Sequence, residues 1–355
     1  MAACNRIAPD TPEHLPPAPS LAVACAPWTH EASNSRSGDL FSPEPPCALI
    51  DHLKAGYGSY LHHAIHGMFK AQEKGLRLVP LLHHYARKEA VHHRLAEDVT
   101  TRQAFVVQRK NATARCQLAL LSCVTGGAAE TRCDFRKAPR IVMSGQARKR
   151  HPLPAVAAAA LELLQPEHSP FASRWRRAAR GQPCIGAQLR YGDSCGTNSF
   201  HTGRKCGPVA DYASAVLRLH ATYGYARVVV ASDSSSKLAE LGALLRPHGL
   251  AVETLSPPER LLGDSIVRRR IAMVEHVMIS NSSAAWLMLE TFLEDLYGLA
   301  ACDALVAKFT SNMARLVLEL MAARLGRVPP YISLDSAWCF GGRTLSPDGR
   351  GYFPC

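Results

Sequence analysis

Apolar residues recur along this chain with two spacings, and the alternation between them outlines a fold. A short apolar run from Cys47 to Leu53 predicts a strand. Ser59 to Gly75 then carries Leu61, Ile65, Met68 and Phe69 three and four apart, on one face of a helix. Leu76 to Leu82 predicts the next strand. Residues 83–150 mix His, Arg and Cys with little period and predict loops and short elements. Ala155 to Leu164 predicts a helix, and Phe171 to Ala179 a further one.

The second half is more regular. Cys184 to Arg190 predicts a strand, and Val209 to Tyr223 a helix entered at Pro208. Val228 to Ser232 predicts a strand, and Ser234 to Leu245 a helix capped by its serines. Ala251 to Leu255 is a strand and 256–280 irregular. Ala284 to Ala300 is an amphipathic helix, Ala304 to Phe309 a buried strand, Met313 to Leu325 a helix, and Tyr331 to Leu334 a last strand before a Cys-bearing tail. Strands alternating with helices imply a parallel sheet covered on both faces, so the fold class is α/β. Three parts follow: 1–45, rich in Pro, Ser and Ala without period, as a disordered leader; 46–180 as a smaller N-terminal α/β half; and 181–355 as a Rossmann-type half.

Composition changes this outline little. No run of 18 apolar residues exists, so no membrane-spanning segment is expected. The first residues lack a basic stretch followed by an apolar core, so no signal peptide is read. Twelve cysteines point instead to an oxidising compartment, as do the sequons at Asn111 and Asn281. Cys195–Cys206 and Cys339–Cys355 are the favoured pairings, each closing a short loop. The formal charge of +12 fits a solvated surface with extra arginine or a phosphate-bearing partner. Its scatter along the chain, without interleaved aromatics, speaks against nucleic acid.

Candidate chemistry gathers where predicted strands give way to loops or helices, the edge at which open α/β sheets bind ligands. Gly56-Tyr-Gly-Ser-Tyr-Leu-His-His63 is one such segment and Gln188-Leu-Arg-Tyr-Gly-Asp193 another. In the third, Asp303 to Arg315, the residues Thr310-Ser311-Asn312 start a helix whose N–H groups and dipole suit a phosphate. The chain has no D-x-D, no P-loop and no C-x-x-C. His62 and His66 have helical metal-ligand spacing but lack the glutamate of H-E-x-x-H, so no metal site is read.

These segments together resemble the α-1,6-fucosyltransferases and the related bacterial nodulation fucosyltransferases. Gly56 to His63 resembles the family's G-Y-G-C-Q-L-H-H, and Ile185 to Asp193 its I-G-V-H-V-R-R-T-D. Val230 to Asp233 resembles L-A-T-D. Phe292 to Arg315 resembles a stretch with an aspartate and then A-D-F-L-V-C-T-F-S-S-Q-V-C-R. Ser333-Leu-Asp335 and Phe340-Gly-Gly342 match S-L-D and F-G-G. The resemblance covers about Cys47 to Gly342. It implies a GT-B-like fold and an inverting, metal-independent transfer of fucose from GDP-fucose to a glycan or glycoprotein acceptor in the Golgi lumen.

The resemblance also implies roles. Arg190 would neutralise the departing diphosphate, as a guanidinium can without a metal. Asp295 would contact guanine. Thr310, Ser311 and Arg315, with Gly58, Ser59, Gln188 and Asp233, would line the GDP-sugar site. Asp193 and Asn198 fall in the catalytic loop. Here the chain departs from the pattern: Gln188 replaces a histidine, Tyr191 the second arginine, Ser194 a lysine, and Asn198 the acid proposed as general base. Asn cannot accept a proton, and general-base help is worth roughly 10²–10⁴ in rate. His201 and Asp193 are possible stand-ins. The alternatives are a weak or inactive protein that keeps the nucleotide pocket, and an enzyme of protein O-fucosyltransferase type.

Overall fold

A computed structural model describes residues 47–50, 57–73, 77–79, 140–141, 150–164, 166, 172, 175, 181–192, 206–256, 282–341, 343–345 and 352–354. The chain divides into two compact units. The first is Met1–Gly145, Leu163–Pro170 and Glu275–Leu289; the second is Gln146–Glu162, Phe171–Val274 and Glu290–Cys355.

In the first unit, β1 (Cys47–Ile50) pairs in parallel with β2 (Arg77–Val79) and with β3 (Arg140–Ile141). Helix α1 (Tyr57–Gln72) is the crossover between β1 and β2. Its apolar stripe is real: Leu61, Ala64 and Ile65 are buried, while Met68 and Phe69 are half-buried. The helix begins earlier than its periodicity suggests. Gly58 therefore lies in its first turn rather than in the loop expected from the sequence, and Ser59 is helical as expected.

The second unit begins with α2 (Leu153–Leu164), most of which belongs to it. It then carries β4 (Cys184–Leu189), α3 (Val209–Tyr223), β5 (Arg227–Ser232), α4 (Ser235–Leu245) and β6 (Ala251–Thr254). The end of α5 (Ser282–Ala300), β7 (Ala304–Ala307), α6 (Asn312–Leu325) and β8 (Tyr331–Ser333) follow. All five strands are parallel in the order β6-β5-β4-β7-β8. Counted along the chain this is 3-2-1-4-5, the Rossmann arrangement. The chain is thus α/β, with a Rossmann-type sheet and a smaller parallel α/β unit, the makeup of a GT-B-like fold.

The local signals explain most element ends. Ser234 caps α4 by accepting the Lys237 N–H at 3.3 Å. Gly224 ends α3 at φ 73, a left-handed position that favours glycine, and its N–H bonds back to His220 O. β4 is buried at every position. Ile185, Ala187 and Leu189 pack with Tyr212, Val216 and Leu219 of α3 and Leu241 and Leu245 of α4. On the opposite face a Cβ at Gly186 would meet Leu299 at 3.4 Å, so glycine lets α5 lie close to the strand. Two features were not foreseen: β3, and an antiparallel hairpin of β9 (Arg343–Leu345) and β10 (Tyr352–Pro354) in the tail.

The N-terminal edge of β4 and β7 is clamped. Cys184 and Cys302 form a disulfide across 118 residues of chain. Asp303 accepts the Cys184 N–H at 3.1 Å, and the Asp303 N–H bonds to Cys184 O at 2.9 Å. Arg324 donates to Ala300 O and Cys302 O and pairs with Asp303 at 3.5 Å. Cys206 and Cys339 are also disulfide-bonded. The partners expected for them, Cys195 and Cys355, lie outside the described residues. No described helix is long and apolar enough to cross a membrane.

Candidate functional site

The strand order reverses direction between β4 and β7, because β5 and β6 continue to one side of β4 while β7 and β8 lie on the other. At such a switch point the loops leaving adjacent strands part, and a crevice opens at their C-terminal ends. The segments that leave here are Arg190 to Gly192 from β4 and Lys308 to Ser311 from β7.

The first segment is fixed from β5. Asp233, just past that strand, accepts the Tyr191 N–H at 2.8 Å and the Gly192 N–H at 2.9 Å, and takes the Arg190 guanidinium in an ion pair. The motif resemblance makes Asp233 a residue of the GDP-sugar site. It moulds the turn after β4, while Ser234 caps the helix. Arg190 reaches the crevice already paired. Tyr191 donates its hydroxyl to Gly207 O at 2.8 Å, which ties the turn to the start of α3. Burial, with Glu240, Asp211 and Asp233 nearby, pushes the Tyr191 pKa up to about 12, so it keeps that proton.

The second segment is fixed from β8. Asp335 accepts the Thr310 hydroxyl at 2.5 Å and the Ser336 N–H at 2.6 Å. Thr310 is therefore engaged within the protein. Ser311 takes the N-cap position of α6 but its side chain makes no cap hydrogen bond. The loop turns instead through a Ser311 N–H to Lys308 O bond of 3.0 Å. Arg315 is buried within α6 and donates to Asn312 Oδ1. Between the segments, Gln188 is 3% exposed; its Nε2 is 4.0 Å from Met313 Sδ, and its Oε1 has no hydrogen-bond partner. Buried polar atoms without partners are rare, and each calls for an explanation such as strain, a water or a bound group.

Asp295 stands on α5 beside the loop after β6. It is 6% exposed and accepts the Ser256 hydroxyl at 3.2 Å. Burial holds its carboxyl well above the ordinary value of 3.8, against the Ser256 bond, with Glu294 and Asp233 adding to the rise. A carboxyl with a raised folded-state pKa binds its proton more tightly folded than unfolded. Its stabilising contribution is fully present below the unfolded pKa and is lost as pH rises through the folded value. Asp295→Asn, neutral at every pH, should therefore gain stability over the wild type as pH rises from about 4 to about 8. Thermal midpoints across that range test this, and a gap that does not change with pH contradicts it.

The sequence candidates thus divide. Gln188, Arg190, Thr310 and Ser311 come to the β4–β7 crevice, with Asp233 and Asp335 as the groups that shape it. Arg315 lies inside α6, and Asp295 at the β6 end of the same sheet. Gly58 and Ser59 belong to the first unit. Asp193, Ser194, Asn198 and His201 lie outside the described residues. His62 is buried in α1, and among the described residues no group of three His, Cys, Asp or Glu is placed to hold a metal ion. Sequence reasoning missed Lys308 and Tyr212. Lys308 was visible as a lone cation interrupting a buried run between Ala307 and Phe309.

No family model matches this sequence, and no curated protein does. Solved structures with similar chain paths include POFUT1 in complex with GDP, at 10% identity and a TM-score of 0.43, covering 82% of this chain and 99% of that one. POFUT1 in complex with GDP-fucose is similar at 10% identity and 0.42, covering 83% and 99%. An arginine-to-lysine mutant of Arabidopsis thaliana FUT1 in complex with GDP is similar at 10% identity and 0.38, covering 97% and 92%. Likeness this distant leaves ligand and reaction to the residues of this chain.

Proposed function

We propose that the second unit binds a GDP-sugar, GDP-fucose by the resemblance of its motifs, and that the protein is a glycosyltransferase of fucosyltransferase type. The observation that carries the reading is the start of α6. A helix N-terminus opens at the switch point of a Rossmann sheet, its N-cap serine makes no cap bond, and a buried amide oxygen without a partner lies beside it. The first turn of a helix has N–H groups without intrahelical partners, and with the dipole they favour a phosphate. The nucleoside and the sugar rest on the motifs alone.

The chemistry is charge neutralisation and positioning. The diphosphate leaves the anomeric carbon as an acceptor hydroxyl attacks from the opposite face. Fixed donors aimed at the departing oxygens lower that barrier. With no D-x-D, the donors are proposed to be Arg190 and the α6 start rather than a metal. A glycan or glycoprotein acceptor, and a lumenal, oxidising location to suit the disulfides, complete the reading. Asn198, in place of an acid, favours a second reading in which the donor is bound and turned over slowly or not at all.

Ser311→Ala separates this reading from a purely structural one. A serine acting as a helix cap is worth about 1 kcal/mol. Because Ser311 makes no such bond, the variant should unfold within about 0.5 kcal/mol of wild type. Calorimetry should nevertheless show GDP affinity falling by about 1.5–3 kcal/mol, the scale of a hydrogen bond to a charged group. Lost stability with unchanged GDP affinity would sink the proposal.

A further inference from the structure

The Gln188 amide oxygen on β4 and the Thr291 hydroxyl on α5 are buried without a hydrogen-bond partner among the described residues. Both residues belong to the second unit, and both lie in the layer between the sheet and α5. Gln188 is 3% exposed. By the two-residue period of a strand it shares a face with Gly186, where a Cβ would meet Leu299 of α5 at 3.4 Å. Its amide nitrogen faces Met313 Sδ of α6, a weak acceptor, so the carbonyl end is the one left over. Thr291 is absent from the motif-based candidates. It shares a helical stripe with Asp295 and Gly298. A Cβ at Gly298 would meet Leu255, so that stripe faces the sheet.

The levels of these groups follow from the backbone. Leu299 lies at Gly186 and Cys302 is bridged to Cys184, so α5 runs antiparallel to β4. Four residues of helix and two of strand each advance about 6–7 Å. Asp295 therefore stands level with Gln188, and Thr291 one turn nearer the C-terminal edge. Ser256, which bonds Asp295, agrees: Thr254 pairs with Val230 and Val230 with Ala187, which puts Ser256 level with Leu189. Gln188 thus marks the β4 side of the layer and Thr291 the β6 side, with β5 between.

What fills these positions must carry hydrogens. An amide oxygen only accepts, and so do phosphate oxygens, so a phosphate cannot satisfy Gln188. An N–H or O–H can, and a threonine hydroxyl either gives or takes. Gln188 is one pleat deeper along β4 than Arg190, on the same face by the strand period. A ligand whose anionic end meets Arg190 and the α6 start places its uncharged end toward Gln188 and α5. The half-buried Met313 lies against the amide, and an unbranched thioether yields its place readily.

We propose that Gln188 and Thr291 are specificity-determining residues that hold the nucleoside of the ligand by its N–H or O–H groups, with Gln188 as the acceptor. The inference rests on the nucleotide reading above and assigns these two residues to the nucleoside rather than to the diphosphate.

Calorimetric titration of the full chain tests it with wild type, Thr291→Val, and Gln188→Met or Gln188→Leu, whichever is folded by circular dichroism. Each substitution removes a buried polar atom that has no partner, so the thermal midpoint should equal or exceed that of wild type. GDP affinity should fall about three- to tenfold in each variant, the scale of one net hydrogen bond, while inorganic pyrophosphate binds all of them alike. Inosine diphosphate, which lacks the amino group of guanine, and 2′-deoxy-GDP separate the sources of the donor. The gap between wild type and variant closes with the first if the base amino group is held, and with the second if the ribose hydroxyl is. If GDP binds wild type and both variants within twofold of one another, the role of Gln188 and Thr291 is overturned while the nucleotide reading stands. If pyrophosphate weakens as much as GDP, the two residues act on the phosphate end and the proposal is overturned. If wild type binds GDP no better than pyrophosphate, the nucleotide reading fails and the proposal with it.

Discussion

Replacing Cys184 and Cys302 together by alanine should cost the folded protein about 2–5 kcal/mol, the range seen when a native disulfide is removed. The bridge closes a loop of 118 residues, and on the chain-entropy model a loop that long approaches the upper end of the range. The location sharpens the expectation. The bridge joins the first residue of β4 to the turn before β7, the two central strands that bound the candidate site. Asp303 and Arg324 hold the same edge by hydrogen bonds, so native geometry should survive while the unfolded ensemble gains freedom. Marginal stabilities of about 5–15 kcal/mol make such a loss large. Urea unfolding of the double variant measures it, and a loss under about 0.5 kcal/mol would show that the clamp does not depend on the covalent bond.

Asp233→Ala should be comparably severe, by a different route. One carboxylate accepts two backbone N–H groups and a guanidinium, at 2.8 and 2.9 Å for the N–H bonds. Truncation leaves these donors without their acceptor in a half-buried setting, and lost bonds to a charged group are worth about 1.5–3 kcal/mol each before solvent compensates. A net loss of about 2–4 kcal/mol is expected, less than the sum because Arg190 retains access to water. Asp233→Asn should fall between, since its carbonyl can accept one N–H but cannot pair with Arg190. GDP affinity should fall with both variants, because the turn positions Arg190. Equal stability of wild type and Asp233→Ala would mean that the turn holds its shape from the strand alone.

The parts of the fold read from the sequence are those written in short-range patterns. Alternating apolar runs and helical stripes gave the five strands of the main sheet and α3 to α6 within a few residues. Ser234 was legible because caps act over one helical turn. The pieces missed were short ones. β3 has two residues and the tail hairpin has three-residue strands, too few for any period to show.

The site was legible as a set of segments and not as a set of contacts. The βα alternation implied a parallel sheet, at whose C-terminal edge Gln188, Arg190, Thr310 and Ser311 would lie. What each side chain does there was decided by partners far along the chain. Arg190 meets Asp233 across 43 residues, Thr310 meets Asp335 across 25, and Cys184 meets Cys302 across 118. Hydrophobic periodicity specifies which face of an element is buried, because burial is a property of each residue in turn. It carries no record of which buried group lies opposite. Only the register of β4 against β5 and β7, set by how all the helices pack, brings Lys308 over Tyr191 and leaves Gln188 Oε1 without a partner.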